Sequence, residues 1–411
     1  MFRPPAKLLA LAAAQLLSVA GDRIHYLALV SLITAGIANA NPGPEIGLAY
    51  LAAAMFLPTI LFAPLAGPLI DRLSLVAVLV VTDACRGLVV LTMPTLFDLG
   101  GSRLLLLGVF VLFTLNVFFL PARGATPPRL VPAERLHAAN AFLILVAVVA
   151  TVVATAVGGW IVDYIGWRSV LYLDGGTYLV SALLLLSLRG IGAPSPRRQK
   201  QTYPIYLKEV ASGFVFLARS AVARQSTIAW LALWVAGGVL HVAAPGHVQT
   251  RPGEMFPVGL VITAMAAGVG LGTLWAMRHR GASGNLVLSA GLLLAASALA
   301  IFAASTELVF QCAAGLAAGV AIGPLMASSE TGLQLAAGER RRARVFAARD
   351  FLARWVFLLA SAAAAAASGL WSGSIVLTLG AVLLALAGIG LLFYGSRRNP
   401  GQTVGESPGR S

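Results

Sequence analysis

The chain is short of charge. Of its 411 residues only 11% are charged, against about 25% in soluble domains. Carboxylates are the scarcer sign, 15 Asp and Glu against 29 Lys and Arg. This excludes a solvated globular domain. Cysteine is nearly missing as well: Cys85 and Cys312 lie in separate apolar runs, which excludes a disulfide framework and a thiolate metal site. No His, Cys, Asp and Glu share a spacing that would ligate a metal or build a catalytic cluster, so neither metal, cofactor nor enzymatic activity is expected. A G-x-x-x-x-G-K-(S/T) run is absent, and with it a phosphate loop for ATP. Gly268 to Gly272 is glycine-rich but lies inside an apolar run with no strand before it, so it reads as helix packing. The net charge of +14 would suit nucleic acid on a soluble face. Here the basic residues occupy short gaps between apolar runs, and no nucleic-acid partner follows.

What the chain has is long apolar runs, with a mean hydropathy of +0.88. A bilayer crossing needs about 20 apolar residues. About twelve runs reach that length, at 7–33, 46–70, 75–97, 103–122, 137–160, 168–189, 225–248, 256–277, 285–304, 307–333, 346–369 and 373–394. The expected fold is an all-α membrane protein of twelve transmembrane helices. The first run is long and holds Asp22 and Arg23, unlike a cleaved signal. Residues 1–190 form a first six-helix bundle, 191–223 a linker, 224–394 a second bundle, and 395–411 a polar tail expected to be disordered. Within the linker Leu207, Val210, Phe214 and Leu217 recur at helical spacing, which predicts an amphipathic helix along the membrane face. Basic residues crowd alternate gaps, for example Arg123, Arg129 and Arg135, or Arg340, Arg341, Arg342 and Arg344. The other gaps hold only Arg103, Arg168 and Arg251. The positive-inside rule then places both termini and the linker in the cytoplasm.

The halves also repeat. A shift of about 205 residues lays Gly67 on Gly272, Leu130 on Leu335, and Glu134-Arg135 on Glu339-Arg340. A slightly different offset brings His25 onto His241.

Ionisable groups inside apolar runs are costly and draw attention for that reason. Asp22 and Arg23 fall mid-run, about 100° apart on a helix, so each needs its own partner. They read either as a proton or substrate site or as an interhelical ion pair, with Arg86 or Arg354 as partners for Asp22. His25 lies one turn from Asp22, where it could share a proton or simply pack. Asp174 stands beside Gly175-Gly176 in the sixth run. Asp83 and Arg86 are spaced for an i,i+3 pair. Trp230, Trp234 and Trp275, with Phe56, Phe118 and Phe142, line either an apolar cavity or the lipid. His241 and His247 flank Pro245-Gly246, which predicts a helix break.

Gly67, Asp71 and Arg72 match the G-x-x-x-D-R part of the loop between the second and third helices of major facilitator superfamily transporters; Leu73 to Val76 depart from the rest of that motif. Pro121 to Pro132, with Glu134-Arg135-Leu136 and Asn140, resembles the fourth-to-fifth-helix loop of the bacterial drug, macrolide and enterobactin efflux branch. Gly158-Gly159 keeps part of the antiporter pattern of the fifth helix, whereas Ala154-Thr155 departs from it. The resemblance implies two bundles rocking about a central site, with Gly67, Asp71 and Arg72 in a cytoplasmic gate. Asp83 and Arg86 are structural or part of that gate, and Glu330, Arg349, Asp350 and Arg354 are its counterpart in the second half. Asp22, Arg23, His25 and Asp174 are the candidate proton and substrate residues. It further implies export of a lipophilic or amphiphilic small molecule in exchange for protons, by a monomer in a bacterial inner membrane. A lipid or lysolipid flippase, and a non-transporting sensor or assembly partner, remain the alternatives.

Overall fold

The computed structural model describes residues 3–36, 43–70, 73–190, 203–278 and 284–396. Asp71 and Arg72, linker residues 191–202 and the polar tail from 397 lie outside the described residues. The helices are α1 (Ala6–Thr34), α2 (Pro44–Ile70), α3 (Leu75–Gly124), α4 (Ala133–Leu186), α5 (Tyr203–Arg219), α6 (Ala221–Val248), α7 (Phe256–Arg278), α8 (Asn285–Ala304), α9 (Leu308–Ser368) and α10 (Gly373–Ser396). A short 3-10 turn, Pro127–Arg129, joins α3 to α4.

Among the described residues ten stretches are long and apolar enough to cross a membrane, and two of them run to 55 and 53 residues. One crossing takes about 20, so each of these two crosses twice. α3 folds back at Gly100-Gly101 and α4 at Gly166, where Gly101 has φ of 62° and Gly166 of 79°. Side chains rarely adopt that backbone, and glycine makes both hairpins possible. α9 turns in the same manner at Gly338. The result is the expected twelve crossings, with the chain entering and leaving on one face. That face is called the termini face here, and the opposite one the far face.

Two of the far-face turns are stapled together. Arg168 donates from both terminal nitrogens to Asp98, at 2.9 and 2.6 Å, while Trp167 meets Phe97 edge-on at 5.3 Å. These hydrogen bonds hold the Asp98 carboxyl below its ordinary range. A depressed folded value means the contribution is complete above the unfolded pKa and is lost as pH falls through the folded one. The difference in thermal midpoint between wild type and Asp98→Asn is therefore expected at neutral pH and should vanish once pH has fallen through the depressed folded value, below the ordinary carboxylate range. A difference that persists there would assign the effect to packing of the turn.

Glycines set the closest helix approach. Gly268 and Gly272 of α7 lie against the backbone of Leu316 and Val320, and Gly319 and Gly323 of α9 lie against α7 in return. Any side chain there would separate the two backbones. α5 differs from expectation. Its Leu217, with Phe214 beside it, packs on Leu333, Ala337, Val345 and Ala348 of α9, so that part of its apolar face is spent on protein and not on lipid. α6 also runs unbroken through Pro245 to Val248, because a proline so near the end forfeits only one turn's hydrogen bond.

Candidate functional site

The first half carries a polar network inside its own bundle. Asp83 and Arg86, fully buried on one face of α3, bond to each other, and Ser181 of α4 donates to the second oxygen of Asp83 at 2.6 Å. Arg86 also donates to Asn116 at 3.3 Å and lies over the rings of Phe119 and Tyr178 at 4.0 and 4.5 Å. Tyr178 in turn donates to Asp22. A small cavity of about 10 Å³ touches Asp22, Arg86, Asn116 and Tyr178, on the order of one water.

His25 bonds through Nδ1 to Asp174 at 2.7 Å, and not to Asp22 as its spacing implied. Gly21 makes this possible, since a side chain there would overlap the Asp174 carboxylate and the Thr177 hydroxyl. Nε2 of His25 is buried without a partner.

Among the described residues the hydrogen bonds between the halves lie on the far-face side. Tyr26 of α1 bonds to His241 of α6 at 2.8 Å, and His241 bonds to the carbonyl of Leu48 at 2.9 Å. Ser31 donates to the Gly253 carbonyl at 2.7 Å, Gln249 to Thr34 at 2.9 Å, and Thr155 pairs with Thr263 at 2.9 Å. Asp163 of α4 accepts the backbone N–H groups of Met255 and Phe256 at 2.7 and 2.8 Å. It thereby caps the amino end of α7, where free N–H groups favour a carboxylate.

The apolar core repeats this asymmetry. One cluster runs from Val30, Leu48 and Leu51 across to Val242, Met255 and Val258. Toward the termini face, Leu8, Leu11, Leu79 and Leu185 form a cluster of the first half alone, and Leu217, Leu333 and Val345 one of the second.

One face of α1 traces the consequence. Leu9, Ala13, Leu16 and Arg23 share it and are exposed. Farther along the same face Val30 is buried and Thr34 meets the other half. The exposed stretch therefore borders a cleft between the halves that opens on the termini face. An aromatic layer closes it: Phe56 packs on Phe357 at 4.7 Å and on Trp234 at 5.8 Å, and Phe357 meets His241 at 5.7 Å.

A family model described as the Major Facilitator Superfamily matches residues 11–348. The chain belongs to this superfamily. Solved superfamily-fold transporters superpose on nearly its whole length at low identity, which speaks for fold alone. The nucleoside transporter NupG aligns at 11% identity with a TM-score of 0.75, covering 94% of this chain and 99% of that one. A bacterial homologue of the human lysosomal transporter Spinster, inward-facing and unoccupied, aligns at 14% identity with a TM-score of 0.68, covering 94% and 97%. Among curated sequences, the chain is similar to the uncharacterised MFS-type transporter YfiS of Bacillus subtilis, 25% identical over 53% of this chain and 51% of that one. It is also similar to the putative bacilysin exporter BacE of Bacillus amyloliquefaciens, 30% identical over 36% of this chain and 38% of the relative. The chain thus matches about half the length of the first of these relatives and 38% of the second.

Within this superfamily frame the sequence candidates divide. Asp22, Asp83, Arg86 and, through His25, Asp174 lie in one bundle interior. Asp83 and Arg86 are several turns from the end of α3, away from the second-to-third-helix loop. Gly67 lies in the last turn of α2, while its loop companions Asp71 and Arg72 are outside the described residues. Arg349 is buried against Glu330 at 2.6 Å and Asp350 at 3.5 Å, over Trp230 at 4.1 Å, so its partners come from its own half. Arg23 stands apart from Asp22 and faces the cleft. Sequence reasoning missed Tyr178, Ser181 and Asn116, which are neutral, and Asp163, which falls at a helix end where a carboxylate is unremarkable.

Proposed function

We propose that this superfamily member exports an amphiphilic small molecule from the cytoplasm, by alternating access and in exchange for protons. The cleft between the halves carries the proposal: it is sealed on the far face by direct hydrogen bonds and open toward the termini face. The distribution of Lys and Arg supports a cytoplasmic termini face, so the cleft would admit substrate from inside. Its aromatic wall suits an apolar body better than a sugar. Asp22 and the His25–Asp174 pair are titratable groups at membrane depth, with a water-sized cavity beside Asp22, and they are the proposed proton carriers. The partial match to a putative bacilysin exporter supports the outward direction.

The test is transport by the purified protein in lipid vesicles, with lipophilic dyes inside or outside and a pH gradient imposed in either sense. Dye moving against the proton gradient, and reversing with it, is the expected result. Dye movement indifferent to the gradient would replace the antiporter with a facilitator or flippase. No movement of any dye would favour a sensor or assembly role.

A further inference from the structure

We propose that Arg23 and Arg354 together seat the oxyanion of an amphiphilic organic acid, whose apolar body rests on Phe56, Trp234 and Phe357. This rests on the transporter reading above and narrows its substrate to an anion with an aromatic or otherwise apolar body. Arg23 comes from α1 and Arg354 from the last limb of α9, one from each half. Arg23 lies one turn before Tyr26 on α1 and Arg354 one turn before Phe357 on α9, so both stem from backbone about 4.5 Å nearer the termini face than those two residues. Arg354 reaches across the cleft, 5.9 Å from the Phe56 ring of the other half.

The four mid-membrane arginines contrast in their partners. Arg86 is held by Asp83 and Asn116, and Arg349 by Glu330 and Asp350. Arg23 and Arg354 have no hydrogen bond and no ion pair among the described residues. Asp22 neighbours Arg23 in sequence but points to Tyr178. Asp350, one turn below Arg354, approaches Arg349 instead. A guanidinium at membrane depth that no carboxylate bonds, with Asp22 near Arg23 and Asp350 near Arg354 only as more distant charges, is expensive, and a carboxylate or phosphate oxygen pair fits its planar fork of donors. Two cations on opposite halves also repel as the cleft narrows, and a bound anion removes that repulsion. Occupancy would thereby favour closure of the termini face.

Three probes of one shape test the charge: 2-naphthoate, neutral 2-naphthamide and cationic 2-naphthylmethylammonium, titrated by tryptophan fluorescence against the full chain in nanodiscs. Wild type is expected to bind the naphthoate at least about tenfold more tightly than the amide, and the cation least. Arg23→Gln or Arg354→Gln should each remove most of that preference while leaving amide affinity unchanged. Arg354→Lys should keep part of it, since the charge survives without the fork. The wild-type series needs no variant, so it decides even if a substitution prevents folding. A wild type that prefers the amide or the cation, or binds none of the three, overturns the proposal, as does a preference that both Gln variants retain. A vesicle experiment with the same probes separates the two readings. Selective naphthoate binding without gradient-driven movement of any probe would leave the seat and sink the exporter. Driven movement of the amide or cation with no naphthoate preference would do the reverse.

Discussion

Asp22→Asn is expected to abolish gradient-driven efflux, lowering it at least about tenfold, while the protein folds and inserts as before. The substitution is nearly isosteric. An asparagine carbonyl can still accept the Tyr178 hydroxyl, and Arg86 keeps Asp83 as its ion-pair partner. What disappears is the carboxylate proposed to exchange a proton beside the cavity it shares with Arg86 and Asn116. Binding of substrate in the absence of a gradient should survive, because the aromatic wall and the two cleft arginines are untouched. Dye efflux from vesicles, measured with and without the gradient, decides the matter. An Asp22→Asn protein whose efflux still follows the gradient would reduce Asp22 to a packing residue, and the His25–Asp174 pair would be the next carrier to test.

The second large effect lies at the far face. Asp163→Ala removes two charge-assisted hydrogen bonds to the amino end of α7, worth roughly 1–3 kcal/mol together after allowance for the exposed position of Asp163. All of that energy is present when the far face is sealed and absent when it opens. The equilibrium should move toward the far-face-open form by a factor of roughly 5 to 150. Spin labels on Ser102→Cys and Ser372→Cys, in a background lacking Cys85 and Cys312, report the separation of the two halves on that side. Asp163→Ala should raise the longer-distance population, and Asp163→Asn, which can still accept one bond, should fall between. An unchanged distance distribution in both variants would mean that the remaining far-face contacts hold the seal alone.

The crossings were legible in the sequence because length and apolarity are local properties. Three of the turns that divide them hang on glycines that the sequence shows plainly. The side-chain partners were not legible. His25 was placed by its one-turn spacing from Asp22, yet its ring bonds to Asp174 across to α4, a contact set by Gly21 being small enough to let α4 approach. Asp22 read either as a proton or substrate site or as an ion-pair partner of Arg86 or Arg354; it accepts the Tyr178 hydroxyl and shares a cavity with Arg86, and the tyrosine was not legible because it carries no charge. The Asp83–Arg86 pair was readable because both ends lie on one helix. Phe214 and Leu217 showed an apolar helical face correctly but not what covers it, since lipid and a neighbouring helix ask for the same residues. The match of His25 to His241 in the internal repeat is informative for its failure. His25 stays within its own bundle, while His241 crosses to Tyr26 and Leu48.

The far-face seal has an evolutionary consequence. Most of its hydrogen bonds have a main-chain atom on one side: the carbonyls of Leu48 and Gly253, and the N–H groups of Met255 and Phe256. No substitution at those positions, short of proline at a donor, deletes the partner. Descendants of this gene can therefore exchange the residues around the seal, and with them the cargo, while inheriting the same hinge between open and shut. Divergence of substrate with retention of movement is the outcome such wiring permits.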